Sequence, residues 1–375
     1  MTRGAGDPLW AGRFSTPPAP EALALGRSLG FDVRLAPFDV AASVAHVRGL
    51  QDAGLLDAED AATLAASLAQ VGDEIGAGEF PFDDADEDIH SAIERGVTER
   101  LGDVGARLHA GRSRNDLVVT DLRLWLLAAG RRERGLTILL IRTLVARARE
   151  HAETVMAGTT HARAAQPVTL GHHLLAHAWA LLRDLERADQ WAERTSVSSL
   201  GAGAIATSTL GLDPKAAAER LGLHKAFENS IDAVSDRDFV LEFLADAAIC
   251  GTHLSRLAAD FARWTDPSLG WAELDEAYAT DLAEALVRDG VPFRDAHHRT
   301  GELLKRLAAD ERSLRDLTPG EWEAFGVAEG GAMLDPDASV RSRGTSGGPS
   351  PASVSRQATA IESVLAGRLA GEGGS

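Results

Sequence analysis

Apolar residues recur at three- and four-residue intervals over most of the chain. The clearest run begins at Ser235, where Phe239, Val240, Phe243, Leu244, Ala247, Leu254, Leu257 and Phe261 fall on one helical stripe. Ser235 and Asp238 have capping-box spacing, so a helix is predicted from Ser235 to about Trp264. Two further runs are comparable: one from about Ser113 to Glu153, with Ser113 and Asp116 again in capping-box spacing, and one from about Val168 to Arg194 behind Pro167. Each is longer than a typical globular helix and none keeps a heptad, which predicts a bundle of long helices rather than a coiled coil. Shorter helical pieces over 39–52 and 58–76, broken by Gly and Pro, form a separate N-terminal region. After about 279 come short helices, the Ser/Gly/Pro-rich loop SRGTSGGPSPAS (342–353), a last helix to about Leu369 and a frayed GEGGS tail.

Composition narrows the class. Alanine and leucine dominate, β-branched residues seldom cluster and there is one tyrosine, so strands have little to form from and the fold is expected to be mainly α. A chain of 375 residues, 45% hydrophobic and 25% charged, can bury a large core. The formal net charge of −18 sets the average surface against a phosphate backbone or an anionic membrane, which argues against nucleic acid and membrane as partners. No run of eighteen apolar residues occurs and the N-terminus lacks an apolar signal core, so a cytoplasmic location is expected. The lone Cys250, in an apolar helical run, reads as a buried, inert thiol in a reducing compartment.

Against that acidic background, each long helix is preceded by a polar cluster: GRSRND (111–116), TTHARAAQP (159–167) and NSIDAVSDRD (229–238). Unpaired backbone N–H groups at helix starts favour anions, and Arg112 with Arg114 would suit a small one. The alternative for any single cluster is capping plus surface charge, which alone accounts for Ser113 and Ser235. His161 lies in a Thr-rich turn ahead of Pro167, where an imidazole can stay accessible and titrate near neutrality, or serve as a hydrogen-bonded structural group. His173 and His177 have the i, i+4 spacing of metal ligands, but HHLLAH lacks the glutamate of a zincin and has no third ligand nearby in sequence; helix packing is the expectation. GAGA (201–204) follows no strand and reads as a turn, and DADEDIH (84–90) as a solvated acidic turn leading into a helix. No Walker, CxxC or GxSxG sequence is present.

Taken in order, LWAGRF, SLGFDVRL, EDIHSAIERGVTERLG, GRSRND, TTHARAAQPVT, SLGAGAIA, NSIDAVSDRDFVLEFL, THLSRLAADF, ATDLAEALVRDGVPFRDAHH and GTSGGPSPASV resemble the argininosuccinate lyases, within the fumarase/aspartase superfamily and close to the delta-crystallins. The matching pieces span residues 9 to about 369. The resemblance implies a three-domain, almost all-helical subunit, here 1–112, 113–278 and 279–375, whose central bundle forms the core of a homotetramer. It implies reversible β-elimination of argininosuccinate, a small dicarboxylate substrate, to arginine and fumarate, with no metal, nucleotide or organic cofactor. His161 matches the catalytic histidine, and Ser28, Asn115 and Thr160 match substrate-binding positions. Arg112, Ser113 and Arg114 share the GRSRND motif, where holding a succinyl carboxylate is the implied role.

The chain departs from the family pattern in places. Ala110 stands where threonine is usual, Leu117 where glutamine is, and ARAAQP from Ala162 where LQRAQP is. Between Tyr278 and Ala279, the segment that would carry the GSSxMPxKxNP loop is absent, and with it the serine proposed as base, the glutamate partner of the histidine, substrate-binding residues and about two of the five bundle helices. The bundle is therefore expected to be incomplete and to leave apolar faces uncovered unless another chain covers them. Activity is expected to be impaired. The alternative is a non-catalytic paralogue that serves as a structural or regulatory partner of an intact lyase. Elimination from another succinyl-amine, such as adenylosuccinate, fits GRSRND and the GTSGGPSPA segment less well.

Overall fold

A computed structural model describes residues 19–161, 163–266 and 275–370. LWAGRF (9–14), the GEGGS tail and residues 271–274 before the Tyr278–Ala279 junction lie outside the described residues. The principal elements are α1 (Ala36–Asp52), α2 (Ala58–Ala77), α3 (Ile89–Leu101), α4 (Arg114–Glu150), β1 (Val155–Thr160), β2 (Arg163–Thr169), α5 (Leu170–Thr195), α6 (Asp238–Trp264), α7 (Ala279–Arg288), α8 (Phe293–Ala309) and α9 (Pro351–Ala370). The mainly α class and the three long helices α4, α5 and α6 agree with the periodicity. The chain divides into two compact units, residues 1–132 with 188–245 and residues 133–187 with 246–375, so each long helix gives one stretch to either unit.

In the first unit, α2 opens on Asp57, whose side chain accepts from the Asp60 amide, and closes on Gly78 in the left-handed conformation (φ 73°). Its apolar positions Leu64, Leu68 and Val71 pack with Val47 and Leu50 of α1 and Ile89, Ile93 and Val97 of α3. A second core joins the first-unit stretches of the long helices, with Val119, Leu126, Leu127, Trp191 and Phe239 buried together. There the Trp191 indole donates to the Phe239 carbonyl at 2.8 Å. Gly130 lets that ring approach, since a Cβ at this position would meet it at 2.5 Å.

In the second unit, Ile141, Leu144 and Val145 of α4, Leu175, Ala178, Leu181 and Leu185 of α5, and Leu257 of α6 form a core that α9 completes with Val354, Ala358, Ile361 and Leu365. A neighbouring cluster sets the hairpin residues Val155, Ala157 and Ala164 against Tyr278, Leu282 of α7, and Leu303 and Leu307 of α8. At the Tyr278–Ala279 junction the backbone runs from a 3-10 turn (Asp275–Tyr278) straight into α7, with Ala277 and Tyr278 fully buried.

Several expectations need correction. TTHARAAQP leads into α5 as expected, but as a hairpin rather than a simple turn: β1 pairs antiparallel with β2, Ala157 opposite Pro167, with a register shift between Gly158 and Thr159. A two-stranded hairpin tolerates Pro167 because a strand with a free edge need not donate from every residue. Ser235 does not cap α6; it closes a short helix (Ser230–Ser235), its hydroxyl donating back to the Ile231 carbonyl at 2.7 Å. Asp236 caps α6 instead, accepting from the Asp238 amide at 2.7 Å. The α6 stripe is also only partly buried: Phe239 and Leu257 are inside, whereas Leu244, Leu254 and Phe261 are exposed. Cys250 is half-buried rather than buried, and burial followed by the nearby Asp184 and Glu133 charges raises its thiol pKa.

Candidate active site

The start of α4 is built by a turn at Gly111 (φ 69°), after which Ser113 caps the helix. Asp116 Oδ1 accepts from the Ser113 amide at 3.1 Å, one half of the capping box read from the sequence, while Ser113 Oγ accepts from the Asn115 amide at 3.2 Å instead of that of Asp116. Asp116 reaches further. Its Oδ2 accepts from the amides of Gly201 (3.1 Å) and Gly203 (2.9 Å), which makes the predicted GAGA turn a clamp on the helix start. Both glycines have positive φ, and a Cβ on Gly203 would lie 2.7 Å from the Thr207 carbonyl oxygen. Burial raises the Asp116 carboxyl above its usual range, against the opposing pull of these amides and of Arg112.

The remaining side chains of GRSRND are held as firmly. Arg114 pairs with Asp88, which itself caps α3 by accepting from the Ser91 amide at 2.7 Å. Asn115 Nδ2 donates to the Ala204 carbonyl at 3.1 Å. Ser28 Oγ donates to Asp32 Oδ2 at 2.5 Å, its amide donates to the Glu87 carbonyl, and Asp32 Oδ1 accepts from the Ile89 amide at 3.2 Å. Ser28 and Arg114 therefore converge on the same stretch, Glu87–Ile89. Arg112 Nη1 donates to Ser43 Oγ at 2.8 Å, while the Nε groups of Arg112 and Arg114 are buried without a hydrogen-bond partner.

Behind Arg112 lies a buried network that sequence reasoning missed. Ser43 donates to Asp39 Oδ1 at 2.9 Å, and the other Asp39 oxygen contacts His90 Nδ1 at 2.5 Å. The same His90 nitrogen lies 3.5 Å from Asp121, whose carboxyl pKa is raised well above its usual range by full burial and then by the Asp39 charge. Asp39 and His90 are 51 residues apart, so no local signal could have joined them. Nearby, His46 contacts the Ala110 carbonyl at 2.9 Å, and burial together with the Arg112 charge lowers its pKa to about 3.

Thr160 and His161 belong to the second unit, at the tip of the hairpin. Thr160 pairs with Arg163 across a two-residue turn, in which His161 adopts a left-handed backbone (φ 51°). Thr159, Thr160 and His161 are all exposed, so the imidazole is accessible as the sequence predicts. Of the larger cavities, one of about 380 Å³ is lined by Ala41, Val44, Arg48, Asp52 and Arg220, and one of about 500 Å³ by Ala24, Arg27, Leu29, Val33 and Phe82. The latter flanks Ser28 without including it. His173 and His177 are not simply packed: both point Nε2 at Asp260 Oδ2, at 3.0 and 2.9 Å.

The long-helix architecture is shared with solved lyases at identities that speak for the fold alone. An EDDS lyase in complex with formate superposes with a TM-score of 0.84 at 22% identity, covering 95% of this chain and 92% of that one. A 3-carboxy-cis,cis-muconate lactonizing enzyme from Pseudomonas putida gives 0.62 at 19% identity, covering 92% and 98%. The fold and the ordered motifs define a lyase of the fumarase/aspartase superfamily. The lyase family model matches residues 12–281 and the argininosuccinate lyase C-terminal model residues 276–341. The chain belongs to the argininosuccinate lyase family of carbon–nitrogen lyases. It is 50% identical to the argininosuccinate lyase of Frankia casuarinae over 272 residues, which is 72% of this chain but 59% of that protein's length. The match to the Mycobacteroides abscessus argininosuccinate lyase, 38% identical, covers 93% of this chain and 94% of that protein over 447 aligned positions, 72 more than the 375 residues here. At least that many positions of the relative have no counterpart in this chain. Among the described residues, no helix is long and apolar enough to cross a membrane.

Proposed function

We propose that the chain acts on argininosuccinate by reversible β-elimination, releasing arginine and fumarate, at a rate limited by the absent segment between Tyr278 and Ala279. The observation that carries this reading is the convergence of Ser28 and Arg114 on the start of α3, with Arg112, Ser113 and Asn115 beside Arg114 at the start of α4, in a chain of this family. The reaction removes a proton beside a succinyl carboxylate, breaks the carbon–nitrogen bond and returns a proton to the departing nitrogen. In this reading His161 acts as acid or base from the hairpin tip. Arg112, Ser113, Arg114, Asn115, Ser28 and Thr160 bind the substrate, the buried Nε–H groups of the two arginines being donors that their present partners do not use. No cofactor enters the scheme. Domain boundaries near 112 and 279 and a cytoplasmic setting belong to the same proposal.

Losing an aligned general base costs ~10²–10⁴-fold in rate, so slow turnover is expected. The test follows fumarate absorbance on incubating purified protein with argininosuccinate. Release that His161→Ala lowers supports the reading, and no signal above the His161→Ala control refutes it.

A second reading, a non-catalytic partner of an intact lyase, is favoured by the uncovered apolar side chains Leu241 and Leu244 of α6, 65% and 58% exposed, and Leu136 and Leu139 of α4. The same surface suits a homo-oligomer, and the family resemblance suggests a tetramer. Mixing the chain with a full-length lyase and sizing the product separates the two: co-elution supports the partner role, and independent elution with unchanged lyase activity counts against it.

A further inference from the structure

We propose that His173, His177 and Asp260 form a divalent transition-metal site, with zinc as the best-fitting ion, that clasps the start of α5 to the end of α6. The two histidines stand one turn apart, and their rings, tilted 33° with centroids 5.6 Å apart, converge on one carboxylate oxygen. The three potential ligand atoms all lie within 4.8 Å of one another. A tetrahedral ion with bonds near 2.0–2.1 Å needs ligand atoms about 3.3 Å apart. The observed 2.9 and 3.0 Å separations from Asp260 thus need to widen by only a few tenths of an ångström, while the two imidazole nitrogens, within 4.8 Å of each other, adjust by ring rotation.

The surroundings suit an open three-ligand site. The His177 side chain is 6% exposed, that of Asp260 20% and that of His173 30%, so one side faces solvent and leaves room for a fourth, exchangeable ligand. The His173 ring is steadied edge-to-face by Trp264 at 4.9 Å, which in turn packs on Phe261. Burial lowers the His177 pKa. Burial pushes Asp260 the other way, but its contacts with the two histidines outweigh this and hold it ionised. Two imidazoles and a carboxylate match zinc better than magnesium or calcium, which take oxygen ligands. Arg263 Nη1, 3.9 Å from the other Asp260 oxygen, and the charge of Arg256 oppose a dication and temper its affinity.

The other histidine–carboxylate group, Asp39–His90–Asp121, is buried on every side and leaves no open position. Because β2 passes directly into α5, an ion at His173 and His177 would stiffen the base of the hairpin that carries His161. Its role is structural and is separate from the chemistry proposed above.

The test titrates the metal-free full chain with Co²⁺, reading the visible d–d bands of a tetrahedral site, and then displaces Co²⁺ with Zn²⁺. One equivalent bound is expected, with affinity reduced at least tenfold in Asp260→Asn and His177→Ala and kept in the exposed double variant His297→Ala/His298→Ala. Because the buried His177→Ala can perturb folding, His173→Ala, the most exposed ligand, is read by thermal shift: zinc raises the Tm of the parent chain and not of the variant. Absence of Co²⁺ bands, or binding equal in all variants, overturns the site and leaves a hydrogen-bonded helix clasp only. None of these readouts depends on lyase activity.

Discussion

The start of α4 and the tip of the β1–β2 hairpin are both short polar stretches that the family resemblance assigns to the same pocket, yet they are constructed in opposite ways. At the helix start, Arg112, Ser113, Arg114, Asn115 and Asp116 are each tied to a neighbour, and Asp116 alone accepts from three amides. At the tip, Thr160 and His161 face solvent, and the His161 backbone is held in a conformation that few non-glycine residues adopt. Substitutions at the helix start should therefore act through stability as well as through substrate binding. At the tip they should act through chemistry. A group that must move a proton gains from accessibility, and the local strain it carries is tolerable where the hairpin pairing determines the turn.

The largest expected effect breaks that comparison if it fails. His161→Ala should lower fumarate release by ~10²–10⁴-fold, while its urea midpoint stays within about 0.5 kcal/mol of the parent, as for an exposed side chain. A loss of stability well beyond that, with activity kept, would make the tip a structural element like the helix start.

The next test is pH. His46, beside the helix start, has a folded pKa near 3 against an unfolded value near 6.5, because burial and Arg112 disfavour its charged form. Below pH 6.5 the unfolded chain takes up a proton that the folded chain refuses, so this contribution is full above about pH 6.5 and is lost as pH falls toward 3. Urea midpoints between pH 7 and 4 should fall for the parent and fall less steeply for His46→Gln. Parallel slopes would show that His46 does not couple the helix start to acid.

How much of this was legible beforehand depended on sequence distance. The three long helices announce themselves through side chains three and four apart, and the Ser113–Asp116 contact through two residues of one turn. The hairpin did not: VMAGTT carries a glycine, RAAQPVT a proline and only two β-branched residues, and the chain turns at His161 without the glycine or asparagine that a tight turn favours. Ser235 misled because the same capping spacing occurs at the end of one helix and the approach to the next. The His90–Asp39 contact and the Asp260 contacts of His173 and His177 join residues 51, 87 and 83 positions apart, which only packing can bring together. Family motifs gave the candidate site residues, but not that each side chain from Arg112 to Asp116 would already hold a neighbour.

Asp116→Ala sharpens the helix-start half. It removes the acceptor for Ser113, Gly201 and Gly203 in a fully buried place. A single lost bond to a charged group is worth about 1.5–3 kcal/mol, and the three here are not additive. The raised Asp116 pKa shows that its burial already cancels part of the gain, so about 3 kcal/mol of destabilisation is expected, read as a lowered urea midpoint with an unchanged slope. Asp116→Asn, which keeps one acceptor oxygen, should lose less. Equal losses for the two would mean that steric fit, rather than acceptance of the glycine amides, holds the turn.

The smallest effect separates backbone from side chain at the hairpin tip. His161→Ala and His161→Gly both remove the imidazole, so both should be equally inactive. They differ in the left-handed turn, where φ is 51°. Alanine there carries a steric cost of roughly 1–2 kcal/mol, whereas glycine avoids it but gives up roughly 0.5–1 kcal/mol in unfolded-state entropy. The glycine variant should therefore be the more stable of the pair by about 0.5–1 kcal/mol, near the limit that matched urea midpoints resolve. If alanine equals or exceeds glycine, His161 does not hold a left-handed backbone in solution, and the accessibility of its imidazole must then come from a different turn.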